Sequence, residues 1–298
     1  MKIGWIGTGI MGSSMAGHLQ GGGHEVYVFN RTRQKARSIL ERGGKWCESP
    51  ADMAGRAEII FTMVGTPADV EEVYLGTQGI FSVKRACRIA VDMTTSQPSL
   101  ARKIFTAAAE KGISTLDAPV SGGDVGARNA TLAIMTGGEK RTYDEVVPLF
   151  RLMGRDIAYL GEAGAGQHTK MCNQILVAGN MIGACEALLY ASRIGLDERA
   201  VIEIIGKGAA ASWAVNNYGP RILQGDFNPG FMVNHFVKDM EIALREAASA
   251  GLALPGLALV HQLYVALQAQ RQGACGVQAL IRVLRSLSGM DASRKAAI

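Results

Sequence analysis

Six residues near the N-terminus constrain this chain more than any others: Gly7-Thr8-Gly9-Ile10-Met11-Gly12. They follow the apolar run Lys2–Ile6 and open an apolar-periodic stretch that reaches about Gln20. A G-x-G-x-x-G string between a strand and a helix gives each glycine a physical task. The first permits a tight turn, the second lets backbone approach a pyrophosphate, and the third lets the helix pack closely on the strand. Unpaired N–H groups at the helix start then face the phosphates. A second strand, Glu25–Phe29, follows at the spacing of a βαβ unit. The expected product is a dinucleotide-binding domain.

The second strand ends in Asn30-Arg31-Thr32. A site that prefers NAD usually carries an acidic residue here to accept from the ribose hydroxyls. This chain has none, and Arg31 can pair with a 2′-phosphate. NADP is therefore the expected cofactor, with NAD possible. A solvated arginine at a helix start is the competing reading of Arg31.

Further strands are expected at residues 58–64, 88–93, 114–118, 132–136 and 156–159, with helices between them, for example at 98–111 and 140–151. A basic helix is expected over 32–42. Alternation of this kind predicts an α/β fold with a mainly parallel sheet covered on both faces. After Gly161 the pattern turns purely helical, beginning with one long helix over about 164–194. Residues 1–163 are expected to form the Rossmann-type NADP-binding domain, and 164–298 an all-helical domain for substrate and oligomerisation. Later helices are expected at 198–206, 238–250, 257–270 and 277–287.

The net charge of +5 is spread along the chain without a Lys/Arg run interleaved with aromatics, which argues against nucleic-acid binding. A mild positive field also suits an anionic cofactor and a small carboxylate-bearing substrate. Five widely spaced cysteines include no CxxC pair and no Cys/His cluster, so no metal is expected and reduced, buried thiols are. The first strand starts at Lys2, leaving no room for a targeting segment, and a cytoplasmic location is expected. The most apolar stretch, residues 175–190, carries Asn180 and Glu186 and is short for a bilayer span, so no membrane association is expected.

Chemistry points to the long helix. Lys170, Asn173 and Gln174 stand at i, i+3 and i+4 on one face. In a desolvated cleft, an ammonium stabilises the oxygen charge that develops when a carbonyl is reduced, and supplies the proton. On spacing alone, an exposed polar patch fits equally well. Ser121, Gly122 and Gly123 follow a strand and offer a hydroxyl and backbone N–H groups to a carboxylate. Thr94-Thr95-Ser96 ends another strand on the expected cofactor edge, where Ser96 also suits helix capping ahead of Pro98. Lys238-Asp239 opens a late helix, either as a buried or as an exposed pair.

Taken together, these strings resemble the β-hydroxyacid dehydrogenase family, which includes 3-hydroxyisobutyrate dehydrogenases and reductases of tartronate semialdehyde, succinic semialdehyde and glyoxylate. The resemblance rests on IGWIGTGIMGSSMAGHL, DAPVSGGDVGARNATLAIMTGG, GAGQHTKMCNQILVAGN and HFVKDMEIALREA, in that order. It implies that Lys170 is the catalytic lysine and that Ser121, Gly122 and Gly123 hold the substrate carboxylate. It implies that Asn173 and Gln174 position substrate, and that Thr95, Lys238, Met63 and Val64 lie at the cofactor. It further implies a homodimer or homotetramer. Phosphosugar dehydrogenases of the wider group carry a His–Asn pair where this chain has Asn173-Gln174, and imine reductases usually replace the lysine that this chain keeps. The expected activity is NADPH-dependent reduction of a short-chain aldehyde acid. The alternatives are an NAD-dependent 3-hydroxyisobutyrate dehydrogenase and a non-enzymatic dinucleotide-sensing scaffold.

Overall fold

A computed structural model describes residues 1–83 and 87–290. The chain divides into two compact units, Met1–Lys170 and Met171–Ile298. The expected boundary lay a few residues earlier, ahead of the long helix. The first turn of that helix instead joins the N-terminal unit, for reasons that lie in its hydrogen bonds.

The N-terminal unit is built on nine strands: β1 (Lys2–Ile6), β2 (Glu25–Phe29), β3 (Lys45–Trp46), β4 (Ile59–Thr62), β5 (Ile89–Asp92), β6 (Ser114–Asp117), β7 (Val120–Ser121), β8 (Leu132–Gly138) and β9 (Gly154–Gly161). Their order is β3-β2-β1-β4-β5-β6-β8-β7, with β9 beside β8. The pairs from β3 through β6 are all parallel. Beyond them β8 runs antiparallel to β6 and β7 and parallel to β9. Parallel strands covered on both faces read as continuous apolar runs, as IIFT of β4 does. Ile3, Trp5, Val28, Phe61 and Val91 pack on one face with Met15, Leu19 and Phe150. Ile60 and Ala90 pack on the other with Met53, Val70, Tyr74 and Ile104. Chain order reverses between β1 and β4, and ligands of open α/β sheets bind at the carboxyl edge of such a switch point.

Several local expectations change. The basic segment is no single helix but a 3-10 turn, Arg33–Ala36, followed by the short helix Arg37–Leu40. It buries only Ala36 and Ile39, too narrow a stripe to hold a longer helix on the sheet. The helix Pro67–Leu75, one of the helices expected between strands but given no bounds, is set by a capping box between Thr66 and Asp69 and by Pro67 at its first position. Ser96 does not cap the helix Pro98–Ala109: Gln97 holds that position and makes no side-chain cap bond.

The helical unit contains most of the long helix Ala165–Arg193, followed by Glu198–Ile205, the π-helical turn Ala214–Tyr218, the short helix Gly219–Leu223, and then Val233–Ser249, Pro255–Ala269 and Leu280–Leu287. Its core gathers Met181, Cys185, Leu188, Phe236, Met240, Tyr264 and Ile281. The long helix runs 29 residues and is long and apolar enough to cross a membrane by length and composition. Length therefore does not exclude a span as the shorter stretch suggested; burial of Ala178, Met181, Cys185 and Leu188 in the helical core accounts for one face of the apolar stretch. Lys238 and Asp239 sit in the second turn of Val233–Ser249 rather than at a helix start. Cys47, Cys87 and Cys185 are buried, and burial pushes each thiol up to about 12. Cys172 is exposed and Cys275 half-buried, contrary to a uniformly buried set.

Candidate active site

The glycine turn at the end of β1 has the division of labour its sequence requires. Gly7 adopts φ +97°, and a Cβ there would lie 2.1 Å from the Met63 carbonyl oxygen, so no larger residue fits. A Cβ on Gly12 would lie 2.0 Å from the Gly7 carbonyl oxygen, which is how closely the helix Ile10–Gly21 packs on the turn. A Cβ on Gly9 would meet nothing within 4 Å. Space over the second glycine is thus open, next to the free N–H groups of a helix whose N-cap makes no side-chain bond. The Trp5 indole N–H holds the turn by donating to the Gly7 carbonyl at 2.8 Å. The Thr8 hydroxyl is buried without a hydrogen-bond partner among the described residues. Gly9 and Ile10 are exposed and Met11 is half-buried. This cradle fits a pyrophosphate.

Asn30 ties the second strand to the cradle. Its Oδ1 accepts from the Thr8 N–H at 3.0 Å, and its Nδ2 donates to the Thr32 carbonyl at 2.9 Å. Arg31 and Thr32 are exposed beside it. The Arg31 guanidinium lies 2.9 Å from the Asp69 carboxylate. Asp69 is itself held by the Thr66 backbone N–H and hydroxyl. Met63 and Val64 line the same edge half-buried, and the Val64 N–H donates to the Thr94 hydroxyl at 3.0 Å. Thr95 follows, also half-buried.

At the far end of the edge, Lys170 is only 6 % exposed. Its Nζ donates to the Val120 carbonyl at 2.8 Å, immediately before Ser121. The exposed-patch reading of this lysine is therefore excluded. Gly122 and Gly123 have φ +130° and +63°. A Cβ on Gly123 would meet nothing within 4 Å, so backbone there is open to approach.

Two buried residues that sequence reasoning passed over hold this arrangement. Asp117 closes β6; its Oδ1 accepts from the Gly164 N–H at 2.7 Å and its Oδ2 from the Gln167 N–H at 2.8 Å. Burial pushes its carboxyl up to about 6, and the backbone N–H groups around it oppose that rise. The Gln167 side chain donates to the Thr94 carbonyl at 2.7 Å and accepts from the Ser96 N–H at 2.9 Å. Its one sequence signal was its place three residues before Lys170, on the same helix face.

In the helical unit, Gln174 is buried with both amide atoms engaged. Its Oε1 accepts from Asn173 at 2.7 Å and its Nε2 donates to Asp239 at 2.6 Å. The other oxygen of Asp239 lies 2.9 Å from Lys238 Nζ. The open question over this pair resolves to a buried carboxylate, Asp239 at 2 % exposed, beside a half-buried lysine. The missed element was the bond from Gln174 to Asp239, a carboxylate joining the expected cofactor lysine to the expected substrate amides.

Known proteins share this architecture. Residues 2–161 match the NAD binding domain of 6-phosphogluconate dehydrogenase, and residues 164–284 match the NAD-binding domain of NADP-dependent 3-hydroxyisobutyrate dehydrogenase. A probable 3-hydroxyisobutyrate dehydrogenase-like protein of Arabidopsis thaliana is 49% identical, over 97% of this chain and 87% of its own. The 2-hydroxy-3-oxopropionate reductase of Escherichia coli is 36% identical over 97% of this chain and 98% of its own. The solved 3-hydroxyisobutyrate dehydrogenase of Mycobacterium tuberculosis superposes with a TM-score of 0.85 at 31% identity, covering 95% of this chain and 99% of that one. With a dinucleotide cradle at one end of the sheet edge and a buried lysine at the other, the chain belongs to the β-hydroxyacid dehydrogenase family of NAD(P)-dependent oxidoreductases acting on CH–OH groups.

Proposed function

We propose that this protein reduces a short-chain aldehyde acid, a semialdehyde or glyoxylate, to the hydroxy acid, with NADPH as the preferred reductant. The observation that carries the reading is Lys170: a buried ammonium hydrogen-bonded to the Val120 carbonyl, next to an open Ser-Gly-Gly turn. When bound, the nicotinamide supplies the hydride; the chain supplies everything around it. Lys170 holds the proton at Nζ and delivers it to the carbonyl oxygen as negative charge develops there. The Ser121 hydroxyl and the backbone at Gly122 and Gly123 hold the substrate carboxylate. Asn173 orients the carbonyl, and Gln174 fixes Asn173 from behind. Positioning of this kind contributes several kcal/mol, on the order of the lower range for oriented groups.

Support for NADPH comes from Arg31 at the end of β2, where no acidic residue stands. Self-association through the helical unit is part of the same proposal. Leu176 and Tyr190 on the long helix are each 67 % exposed, and Gly179 and Gly183 face open space. Sedimentation of the purified protein reads the oligomer directly.

The decisive experiment is an absorbance assay of NADPH and NADH consumption with succinic, methylmalonic and tartronic semialdehydes and glyoxylate, together with NAD- and NADP-linked oxidation of 3-hydroxyisobutyrate. Fast NADPH consumption with one of the aldehyde acids is the expected result. Preferential NAD-linked oxidation of 3-hydroxyisobutyrate replaces the proposal with that activity, and dinucleotide binding without turnover on any substrate refutes catalysis.

A further inference from the structure

Gly164 at the start of the long helix has no side chain with which to cap it, and that start is instead hydrogen-bonded to the sheet edge. Gly164, at φ +94°, delivers the chain into it. The N–H groups of Gly164 and Gln167 both point at the Asp117 carboxylate, 47 and 50 residues away in sequence. A charged acceptor at a helix N-terminus satisfies its orphan donors and complements its dipole. Two glycines make the approach possible. A Cβ on Gly166 would lie 2.4 Å from the Met135 carbonyl oxygen and 2.5 Å from that of Asp117. A Cβ on Gly137 would lie 2.7 Å from Asp117 Oδ1 and 2.7 Å from the Gly166 nitrogen. Helix and sheet therefore meet at backbone distance.

Gln167 makes the second tie. Its side chain is fully buried and pairs with the backbone of the strand end after β5 through both amide atoms. Thr94, whose carbonyl it binds, in turn accepts from Val64 at the cofactor edge. One helical turn beyond these ties stands Lys170, whose Nζ bonds to Val120, three residues after Asp117. The same short stretch of chain thus fixes both the helix start and the carbonyl that its lysine meets.

We infer that Asp117 and Gln167 are positioning residues: together they clamp the start of the long helix to the ends of β5 and β6 and thereby hold Lys170 at the Ser121–Gly123 turn. The inference rests on the proposed role of Lys170 for its catalytic consequence, but the clamp itself is read without activity.

Two near-isosteric variants test it. Asp117→Asn keeps the shape and replaces one acceptor with an NH2 group facing an N–H donor. Gln167→Met keeps the length and removes both amide bonds. Hydrogen–deuterium exchange over residues 163–172 should accelerate about tenfold or more in each, the signature of local opening. In the same variants kcat should fall about tenfold, with any loss of NADPH affinity smaller than the loss of kcat, because the glycine cradle is untouched. Should Asp117→Asn not fold, Gln167→Met carries both measurements. Unchanged exchange in a folded variant overturns the clamp. Accelerated exchange with undiminished kcat leaves the clamp standing as structure and removes its catalytic consequence, which is also the result expected if Lys170 is not the proton donor.

Discussion

The two ends of the sheet edge are built on opposite principles. Around Lys170 the polar ties are buried: Asp117 with two backbone N–H groups, Gln167 with two backbone partners, the lysine Nζ with a carbonyl. Around Arg31 the guanidinium is 82 % exposed and its partner is one side chain. Losing a partner in the first environment strands a buried group at a cost of about 1–3 kcal/mol. An exposed ion pair is worth about 0–1 kcal/mol and is screened by salt. Chemistry is thus placed where geometry is rigid, and cofactor discrimination where a few side chains can be exchanged without disturbing the fold.

Replacing the buried ammonium puts the heaviest load on that contrast. Lys170→Met preserves most of the packing and removes the proton donor, so kcat should fall about 10³-fold, within the span of general acid catalysis. NADPH affinity measured by fluorescence should be unchanged. A variant that keeps a tenth of the wild-type turnover breaks the assignment.

Next in size are the glycines of the cradle, which separate folding from binding. Gly7→Ala forces a Cβ to 2.1 Å from a backbone oxygen at a φ of +97°, so both the melting temperature and the dinucleotide affinity should drop. Gly9→Ala meets no protein atom and keeps φ near −73°, so the free protein should melt as wild type. Its dinucleotide affinity should nevertheless fall more than about tenfold, since the methyl group occupies ground the pyrophosphate needs. Equal dinucleotide affinity in wild type and Gly9→Ala would show that the open space above the turn is not the phosphate site.

At the exposed end the effect is one of charge. Arg31→Asp should raise the KM for NADPH about 30-fold, the value of charged hydrogen bonds to a phosphate, while that for NADH stays level or falls. The loss should shrink as salt is raised, in contrast to the Lys170 variant, whose deficit should not move with ionic strength.

What could be read in advance followed from locality. The strands β1, β2, β4 and β5 announce themselves as apolar runs because both their faces are buried, and the G-x-G-x-x-G string carries its meaning in six consecutive residues. The two-residue strands β3 and β7 are too short to leave a period, and Pro67–Leu75 is defined by its cap rather than by an apolar stripe. Within the site, Lys170, Asn173 and Gln174 were visible through helical spacing. The ties of Asp117 and Gln167, and the bond from Gln174 to Asp239, were not, because their partners are backbone or side-chain groups 47 to 73 residues away, a distance at which pattern carries no information.

The gentlest probe of the comparison is the partner of Arg31. Asp69 places a negative charge 2.9 Å from the guanidinium, on the side of the sheet where a 2′-phosphate is expected. Coulomb's law gives the sign: removing that charge favours an anionic ligand. Asp69→Asn retains an oxygen for the Thr66 backbone N–H, so the capping box and the helix behind it should survive. NADPH should bind about two- to threefold more tightly at low salt, NADH should change less, and the difference should shrink as salt is raised. A tenfold loss of NADPH affinity instead would mean that Asp69 holds the arginine in place, and the exposed end would then be as rigidly built as the buried one.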